Sequence, residues 1–452
     1  MAGNTTQDRH RAPSFGEAFW FWLKLGFVSF GGPTGQIAMM HTELVEKKRW
    51  IDNARFLHAL NFCMLLPGPE AQQLAIYIGW LLHKTRGGVI AGALFVVPSI
   101  FILWALSYVY VAFGNIPWIA AIFYGLKPAV LAIVAAAVIR IGSKALKNAV
   151  MWSLALAAFV AIYFFRVPFP FIIISAGILG LIGSKILPQY FRGEIAHPVD
   201  VDLAGKITDR AKPSWLHALK ISATWIVIWA LPLALAGIFL GAQHTIFREG
   251  IFFSKAAVVT FGGAYAVLPY VSQQAVEHYH WLRPDQMLDG LGLAETTPGP
   301  LILVNQYVGF IAGWQAQGGG LWLATMSAAM ASWCTFAPSY LWIFAGAPFA
   351  ETLRRNRLAS AALASITAAV LGVIANLAFW FALHVVFTRS TSIPTAWGHT
   401  LLVPSIASFD LTEALIALAA GIALVRFKAN VALVVLACAI VGLLARTMLS
   451  MR

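Results

Sequence analysis

The chain has 452 residues, of which 60% are hydrophobic and only 11% charged, and its mean hydropathy is +0.77. Soluble domains average about 25% charged residues, so this composition excludes a water-soluble fold and predicts an all-α polytopic membrane protein. The net charge of +13 does not predict nucleic-acid binding, because the cations lie beside apolar segments, where the positive-inside rule expects them.

The start of the chain carries no short apolar core followed by a small-residue cleavage site, so the first hydrophobic segment is expected to stay in the mature protein. The three cysteines lie in separate apolar segments without CxxC or CxxCH spacing, which argues against a metal cluster, a c-type haem or a disulfide framework. His58 and His384 lack partners at metal-ligand spacing, so ordinary polar contacts are expected. No cofactor or metal is predicted.

Long apolar segments follow one another along the chain, several of them reaching the roughly 20 residues that a membrane-spanning helix needs. They lie at about 87–113, 116–142, 149–166, 168–186, 216–241, 319–347, 358–388, 411–427 and 429–448. We therefore divide the chain into an N-terminal repeat (1–186), a polar cytoplasmic linker with one extra helix (187–241), and a C-terminal repeat (242–452).

An internal repeat is visible at a constant offset of 231 positions. FWLKLGFVSFGG at Phe21–Gly32 aligns with FFSKAAVVTFGG at Phe252–Gly263, and Pro67-Gly68-Pro69 falls on Pro298-Gly299-Pro300. Such self-similarity indicates a duplication. Because one extra helix separates halves with an even number of crossings, we expect repeats of inverted topology, as in many transporters.

The distribution of cations predicts the orientation and the local path of the chain. With the N-terminus in the cytoplasm, most Lys and Arg of the loops lie on the cytoplasmic side. Four further cations stay on that side only if the segments around them are re-entrant hairpins that break at GGP and PGP: Lys47, Lys48, Arg49 and Arg55. Broken, re-entrant helices are therefore favoured over full crossings.

The Gly and Pro motifs are the first candidate for the substrate site. A helix that restarts at a break inside the membrane presents free N–H groups and a partial positive charge, which suits a tetrahedral oxyanion. The duplication supplies four such helix starts, at Gly31-Gly32, Pro67-Gly68-Pro69, Gly262-Gly263 and Pro298-Gly299-Pro300. The alternative for any one motif is a kink in a tightly packed helix.

Ionisable residues in apolar segments are the second candidate, because their burial is costly. Lys24 and Lys255 occupy equivalent positions, seven residues before each GG pair, and would neutralise a dianion; the alternative is snorkelling to the interface. Glu70 and Glu295 lie beside the PGP motifs, where either could form a proton-linked gate; Glu70 could equally favour its helix dipole.

Two further polar residues keep two interpretations each. Gln73, one turn after Pro69, could donate a hydrogen bond to an anion or satisfy a neighbouring helix. Lys127, directly before Pro128, is a third candidate cation of the pathway, or packs near an interface.

At these residues the chain resembles the chromate ion transporter family, and specifically its long two-domain bacterial members. The matching segments are Lys24–Met40, Lys47–Asp52, Leu65–Trp80, Thr260–Val271 and Gly290–Phe310. The resemblance implies export of chromate across the bacterial inner membrane, resistance to chromate, and coupling to a proton or to a counter-anion such as sulfate. The second half carries Ala264 where the first carries Pro33, so its helix start is less certain.

Several alternatives stay open on the sequence. Helix N-termini recognise charge and shape, so a sulfate or other oxyanion carrier is the nearest rival. A membrane chromate reductase would need a redox cofactor or a cysteine pair, and a passive anion channel would share the same site. The partners expected are the oxyanion, its coupling ion and the lipid bilayer; the oligomeric state stays open, with a homodimer as one alternative.

Overall fold

The computed structural model describes residues 13–30, 32–191, 215–349, 356–394 and 400–450. Within these ranges the chain is α-helical apart from one β-hairpin, so the predicted all-α class is confirmed. Five of the described helices are long and apolar enough to span a membrane: Glu70–Phe113, Pro117–Ala145, Phe169–Ile186, Ala218–Leu240 and Arg357–Val386. Most of the predicted linker, as well as Gly31, lies outside the described residues.

The helices of the first half and the helix after the linker are α1 (Phe15–Val28), α2 (Gly32–His41), α3 (Asn53–Cys63), α4 (Glu70–Phe113), α5 (Pro117–Ala145), α6 (Ala149–Phe165), α7 (Phe169–Ile186) and α8 (Trp215–Leu240). A π-helical turn, Thr42–Lys47, continues α2. The long helix α4 is kinked, since His83 and Lys84 leave helical geometry.

The second half contains α9 (Thr245–Val259), α10 (Ala264–Gln273), α11 (Pro284–Thr296), α12 (Val304–Gln315), α13 (Leu321–Gly346), α14 (Arg357–Val386), α15 (Leu411–Val425) and α16 (Val431–Ser450). A π-helical turn follows α10 at Gln274–His278, and 3₁₀ turns occur at Leu301–Leu303, Ala347–Phe349 and Ile406–Ser408. Strands β1 (Ser390–Pro394) and β2 (Thr400–Pro404) pair antiparallel between α14 and α15; the sequence did not predict this hairpin.

Side-chain caps explain several helix starts. Ser14 forms a capping box with Glu17 at α1, while Asp52, Asn148 and Asp410 each accept a backbone N–H at the start of α3, α6 and α15. Such caps satisfy N–H groups that have no partner inside the helix. They fix where the helices begin and therefore where the loops between them lie.

The two halves have the same order of elements and the same unusual backbone positions. A left-handed backbone occurs at Gly32 and Gly263, at Arg49 and His280, and at Gly68 and Gly299, and each pair is separated by the offset of 231 positions. The kink of α4 at 83–84 corresponds to the loop 316–320 between α12 and α13. Equivalent residues therefore turn the chain in the same way in both halves.

We name the two ends of the helical bundle after the linker and the hairpin. On the linker side, the His83 ring forms a hydrogen bond with the Pro13 carbonyl at 3.0 Å, and the Trp215 and Phe349 rings pack at a tilt with their centroids 4.7 Å apart. This side also holds the end of α5 and the α15–α16 turn.

On the hairpin side, Arg166 pairs with Glu277 at 2.7 Å and the Tyr124 hydroxyl donates to Asp410 at 2.9 Å. The Arg248 guanidinium lies over the Tyr279 ring, so α9 begins on the hairpin side. Pro13, just before α1, lies on the linker side, so the equivalent helices α1 and α9 start from opposite ends of the bundle.

Small residues allow the long helices to approach closely. Gly125 of α5 lies against Gly442 of α16, Gly180 of α7 against Ala361 of α14, and Gly372 of α14 against the Ala155 carbonyl of α6. Close approach at Gly and Ala is the usual basis of helix packing in lipid, where no hydrophobic effect drives helices together. The bundle of α5, α6, α7, α14, α15 and α16 forms the frame around the short helices.

Candidate functional site

The two PGP motifs are bound to the opposite half of the molecule by a symmetric pair of hydrogen bonds. The Gly68 N–H donates to the Thr260 carbonyl at 2.8 Å, and the Gly299 N–H donates to the Ser29 carbonyl at 2.9 Å. Ser29 and Thr260 are equivalent residues at the ends of α1 and α9. The breaks of the two halves therefore meet in the middle of the fold and hold each other in place.

Each break is followed by a helix start, as the sequence predicted. The new helices begin at Gly32, Glu70 and Ala264, and after Pro298-Gly299-Pro300 a 3₁₀ turn at Leu301 leads into α12. Helix α10 begins directly after Gly263 although Ala264 replaces proline there. Pro67, Gly68, Pro69 and Gly262 form the turns before these starts, and Gly31 is not among the described residues.

The carboxylate of Glu70 lies against the start of α10 in the other half. A methyl group built on Gly263 would be 3.7 Å from Glu70 Oε1. The first N–H groups of a helix have no intrahelical partner and attract negative charge. Glu70 therefore occupies the neighbourhood in which the sequence placed an oxyanion.

Gln73 stabilises the turn at Pro67-Gly68-Pro69. Its side-chain amide donates to the Pro67 carbonyl at 2.6 Å, and the side chain is fully buried. This bond closes the loop around Gly68, whose φ of +118° favours glycine. The structure thus gives Gln73 a local partner, whereas a contact with an anion stays a prediction.

Glu295 lines a cavity of 380 Å³ that opens on the linker side. The Tyr265 hydroxyl donates to Glu295 Oε1 at 2.8 Å. Arg140, near the end of α5, and Lys428, in the α15–α16 turn, line the same cavity. One carboxylate thus shares the cavity with two cations, a balance that leaves it positive when no anion is present. We name this space the Glu295 cavity.

Lys24 and Lys255 do not line the Glu295 cavity. Both side chains are exposed on the surface of the helical bundle, and Lys24 shares its face of α1 with the exposed Trp20 and Phe27. Their spacing from the GG pairs is as the sequence indicated, but the structure does not bring them together with Glu70 or Glu295. A role in the pathway stays a prediction.

Lys127 lies in a second cavity, of 410 Å³, together with Tyr110, Arg283, Asp285 and Asp289. We name it the Asp289 cavity, and it opens on the hairpin side. Like the Glu295 cavity it lies between α5 and α11. The sequence singled out Lys127 but not the acidic residues around it.

Three charged groups that are buried or line a cavity were missed from the sequence. Arg140 was not singled out from the sequence as a site residue, although it lines the Glu295 cavity. Asp289 and Glu249 are 4% and 0% exposed, and both lie in apolar segments where an acid is a signal of function.

The described residues contain no group of three His, Cys, Asp or Glu placed to hold a metal ion. His384 Nδ1 bonds the Trp380 carbonyl at 2.8 Å, which is the ordinary polar contact expected of it. The three cysteines are free and buried.

Together, these features define a class of protein. Membrane-long helices surround short broken helices that contact each other across the two halves, and cavities that contain charged residues enter the bundle from both ends. This arrangement is typical of a multi-pass membrane transporter.

The chain belongs to the chromate transporter family, whose sequence profile matches residues 16–181 and again residues 248–443. It is 30% identical over 427 residues to the chromate transport protein of Cupriavidus metallidurans, covering 93% of this chain and 95% of that protein. It is 30% identical over 446 residues to the chromate transport protein of Pseudomonas aeruginosa, covering 97% and 94%. An uncharacterized transporter of Methanocaldococcus jannaschii is 24% identical over 378 residues. No solved structure matches the chain significantly.

Proposed function

We propose that this protein is a secondary active transporter that exports chromate from the cytoplasm across the bacterial inner membrane and thereby confers chromate resistance. The names of the two relatives that match nearly the whole chain support chromate as the substrate. The direction of transport and the energy source follow from the arguments below.

We place the linker side, and with it the N-terminus, in the cytoplasm. The cations at the ends of α5 and α15 favour this orientation through the positive-inside rule: Arg140, Lys144, Lys147, Arg426 and Lys428. The short helices α1, α2 and α3 contain 14, 10 and 11 residues, or at most about 21 Å at about 1.5 Å per residue. Because the hydrocarbon core is about 30 Å thick, these lengths support re-entrant hairpins within two inverted repeats, 1–186 and 242–452.

The Glu295 cavity would then receive the oxyanion from the cytoplasm. Arg140 and Lys428 attract a dianion. The cavity walls have a low dielectric constant and therefore focus the electric field of these two cations. Tyr265, one residue after the start of α10, connects this cavity to the broken helices through its bond to Glu295. The oxyanion thus passes Glu295 while Arg140 and Lys428 compensate the charge of that carboxylate.

The observation that carries the proposal is the contact of Glu70 with Gly263. An ionised Glu70 and an oxyanion compete for the same positive helix start, so the oxyanion binds when Glu70 is protonated or turned away. Protonation and substrate binding become linked at the junction of the two halves. Coupling to a proton, or exchange with a second anion such as sulfate, follows from this competition.

The membrane potential itself favours export of a dianion. Each elementary charge gains about 2.3 kcal/mol per 100 mV, so a chromate dianion leaving a negative cytoplasm gains about 4.6 kcal/mol. An uncoupler collapses both the membrane potential and the pH gradient, so inhibition by an uncoupler does not distinguish these two driving forces. The assay must therefore vary the potential and the pH gradient separately.

The test is uptake of radiolabelled chromate into everted membrane vesicles bearing the protein, with and without excess sulfate. We expect protein-dependent uptake that an uncoupler abolishes and sulfate reduces. With the potential clamped by potassium and valinomycin, an imposed pH gradient should still change the rate. Vesicles without the protein are the control, and equal uptake in both would contradict the proposal; flux that ignores the pH gradient and sulfate would identify a passive channel.

A further inference from the structure

Asp289 is a buried carboxylate that faces the Asp289 cavity with half of its hydrogen-bonding capacity unused. It is 4% exposed, its Oδ2 accepts the Tyr110 hydroxyl at 2.9 Å, and its Oδ1 has no hydrogen-bond partner. A charge that is buried in a membrane protein is costly unless it is paired or has a function. The side chain therefore requires a functional explanation beyond packing.

Charged groups from every side act on Asp289. Lys127 of α5 and Arg283 before α11 contribute positive charge, and Asp285 contributes negative charge, although Arg283 is itself paired with Asp285 at 2.8 Å. Tyr110 of α4 and Tyr307 of α12 are the neighbouring hydroxyls. Farther out lie His384 of α14, Glu413 of α15 and Arg446 of α16. Because Arg283 is matched by Asp285, Lys127 is the cation that balances Asp289.

A thin apolar layer separates the Asp289 cavity from the Glu295 cavity. Gly292 lies midway between Asp289 and Glu295 on α11, and a Cβ built on it would be 3.3 Å from Leu126 Cβ and 3.5 Å from Val130 Cγ2 of α5. Gly292 is three residues from Asp289 and three from Glu295, so each carboxylate-bearing residue lies about 4.5 Å from it along the helix axis. The two cavities thus end on opposite sides of this apolar layer, one from each end of the bundle.

We propose that the Asp289 cavity is the release site of the transport path, in which Lys127 receives the oxyanion and ionised Asp289 expels it. This inference rests on the proposed function. When Asp289 is ionised it neutralises Lys127 and repels a dianion, so the oxyanion leaves toward the hairpin side. When Asp289 is protonated, Lys127 keeps an uncompensated charge and holds the oxyanion longer. Acid on the hairpin side therefore slows export.

The experiment measures initial rates of chromate uptake into everted vesicles, with the potential clamped and the lumen set to acidic or alkaline pH at a constant external pH. The lumen is the hairpin side in such vesicles. For the wild type we expect a severalfold lower rate with an acidic lumen. Asp289→Asn, which keeps the size of the side chain and can keep the Tyr110 hydrogen bond, should be slow at both lumen pH values and insensitive to the change.

Two further variants separate a role in release from a role in folding. Tyr110→Phe removes the hydrogen bond to Asp289 and should shift the lumen pH at which the rate changes, a shift that a purely structural role of Asp289 would not produce. Glu46→Gln, at an exposed carboxylate of the π-helical turn after α2, is the control and should respond like the wild type. An Asp289→Asn protein that keeps the wild-type response to lumen pH would overturn the inference.

Failure of the proposed function would give a different result. If the wild type shows no protein-dependent uptake at any pH, chromate export is contradicted. The release site is then decided by infrared difference spectra of the purified protein during a pH change: loss of a carboxyl band in Asp289→Asn supports a titrating group in this cavity, and an unchanged spectrum excludes it.

Discussion

At the scale of single residues, charge balance distinguishes the two cavities. In the Glu295 cavity two cations, Arg140 and Lys428, accompany one carboxylate, whereas in the Asp289 cavity two cations, Lys127 and Arg283, face two carboxylates. An oxyanion is therefore attracted more strongly to the linker side than to the hairpin side. This gradient suits binding from one side and release to the other.

Arg140→Gln tests this balance. Loss of the cation leaves the charge of Glu295 less compensated and weakens the attraction for chromate. We expect the KM for chromate to rise about fivefold to tenfold, which corresponds to a loss of about 1 to 1.4 kcal/mol of binding free energy. Adding Glu295→Gln should restore most of the affinity. Uptake kinetics in everted vesicles measure the effect, and Lys144→Gln, the same change of charge about one turn farther along α5, is the control. A KM that rises equally in Lys144→Gln would show a general surface effect instead.

At the scale of elements, the breaks depend on two glycines whose surroundings differ. A Cβ on Gly299 would clash with Ser99 Oγ, whereas a Cβ on Gly68 would meet the flexible amide of Gln73 at 2.8 Å. Gly32 also has a positive φ, but no atom lies within 4 Å of its added Cβ. The three positions thus separate backbone strain from steric conflict.

We expect the loss of thermal stability in detergent to increase from Gly32→Ala through Gly68→Ala to Gly299→Ala. All three pay about 1 to 2 kcal/mol for the left-handed backbone, and Gly299→Ala adds about 1 to 3 kcal/mol of overpacking. Ser99→Ala should recover part of the loss in Gly299→Ala, because it removes Oγ but not Cβ. Thermal unfolding of the purified variants measures these losses. Equal losses at the three positions would contradict the role of the Ser99 contact.

The long helices could be predicted from the sequence, because continuous apolar runs mark them. The bounds predicted for α5, α6, α7 and α13 to α16 agree with the structure within three residues. The β-hairpin and the π-helical turns could not be predicted, since the hairpin contains few residues and π-helical turns have no periodicity of their own. The breaks were predicted because only Gly and Pro signal them so directly.

The sequence predicted that helices restart at the PGP motifs, but not which way the ionisable residues face. Glu70 lies against the start of α10 and Glu295 lines the Glu295 cavity, whereas Lys24 and Lys255 do not line that cavity, since the face of a helix is fixed by its packing partners. Their roles in transport stay predictions. Arg140 and Asp289 come to the site from helices far apart in the sequence, and no local pattern shows such a contact.

At the scale of the whole molecule, the account requires the equivalent π-helical turns to lie on opposite sides of the membrane. Lys47 and His278 are equivalent exposed residues. In a protein whose three cysteines, all buried, have been replaced, Lys47→Cys should react with a membrane-impermeant thiol reagent only from the cytoplasm and His278→Cys only from outside. Intact cells expose the outer face of the membrane to the reagent, and everted vesicles expose its cytoplasmic face. Labelling of both positions from one side would contradict the inverted repeat.

The central claim is that an oxyanion and the Glu70 carboxylate compete for the start of α10, and equilibrium binding to the purified protein tests it most directly. Binding of sulfate, which stays a dianion across the range, is measured beside chromate in the wild type, Glu70→Gln and the control Glu46→Gln as a function of pH. The account predicts that wild-type affinity weakens as pH rises, because ionised Glu70 repels the ligand. It predicts that Glu70→Gln binds more tightly at alkaline pH, with little dependence on pH. A Glu70→Gln protein with wild-type affinity and wild-type pH dependence would contradict it.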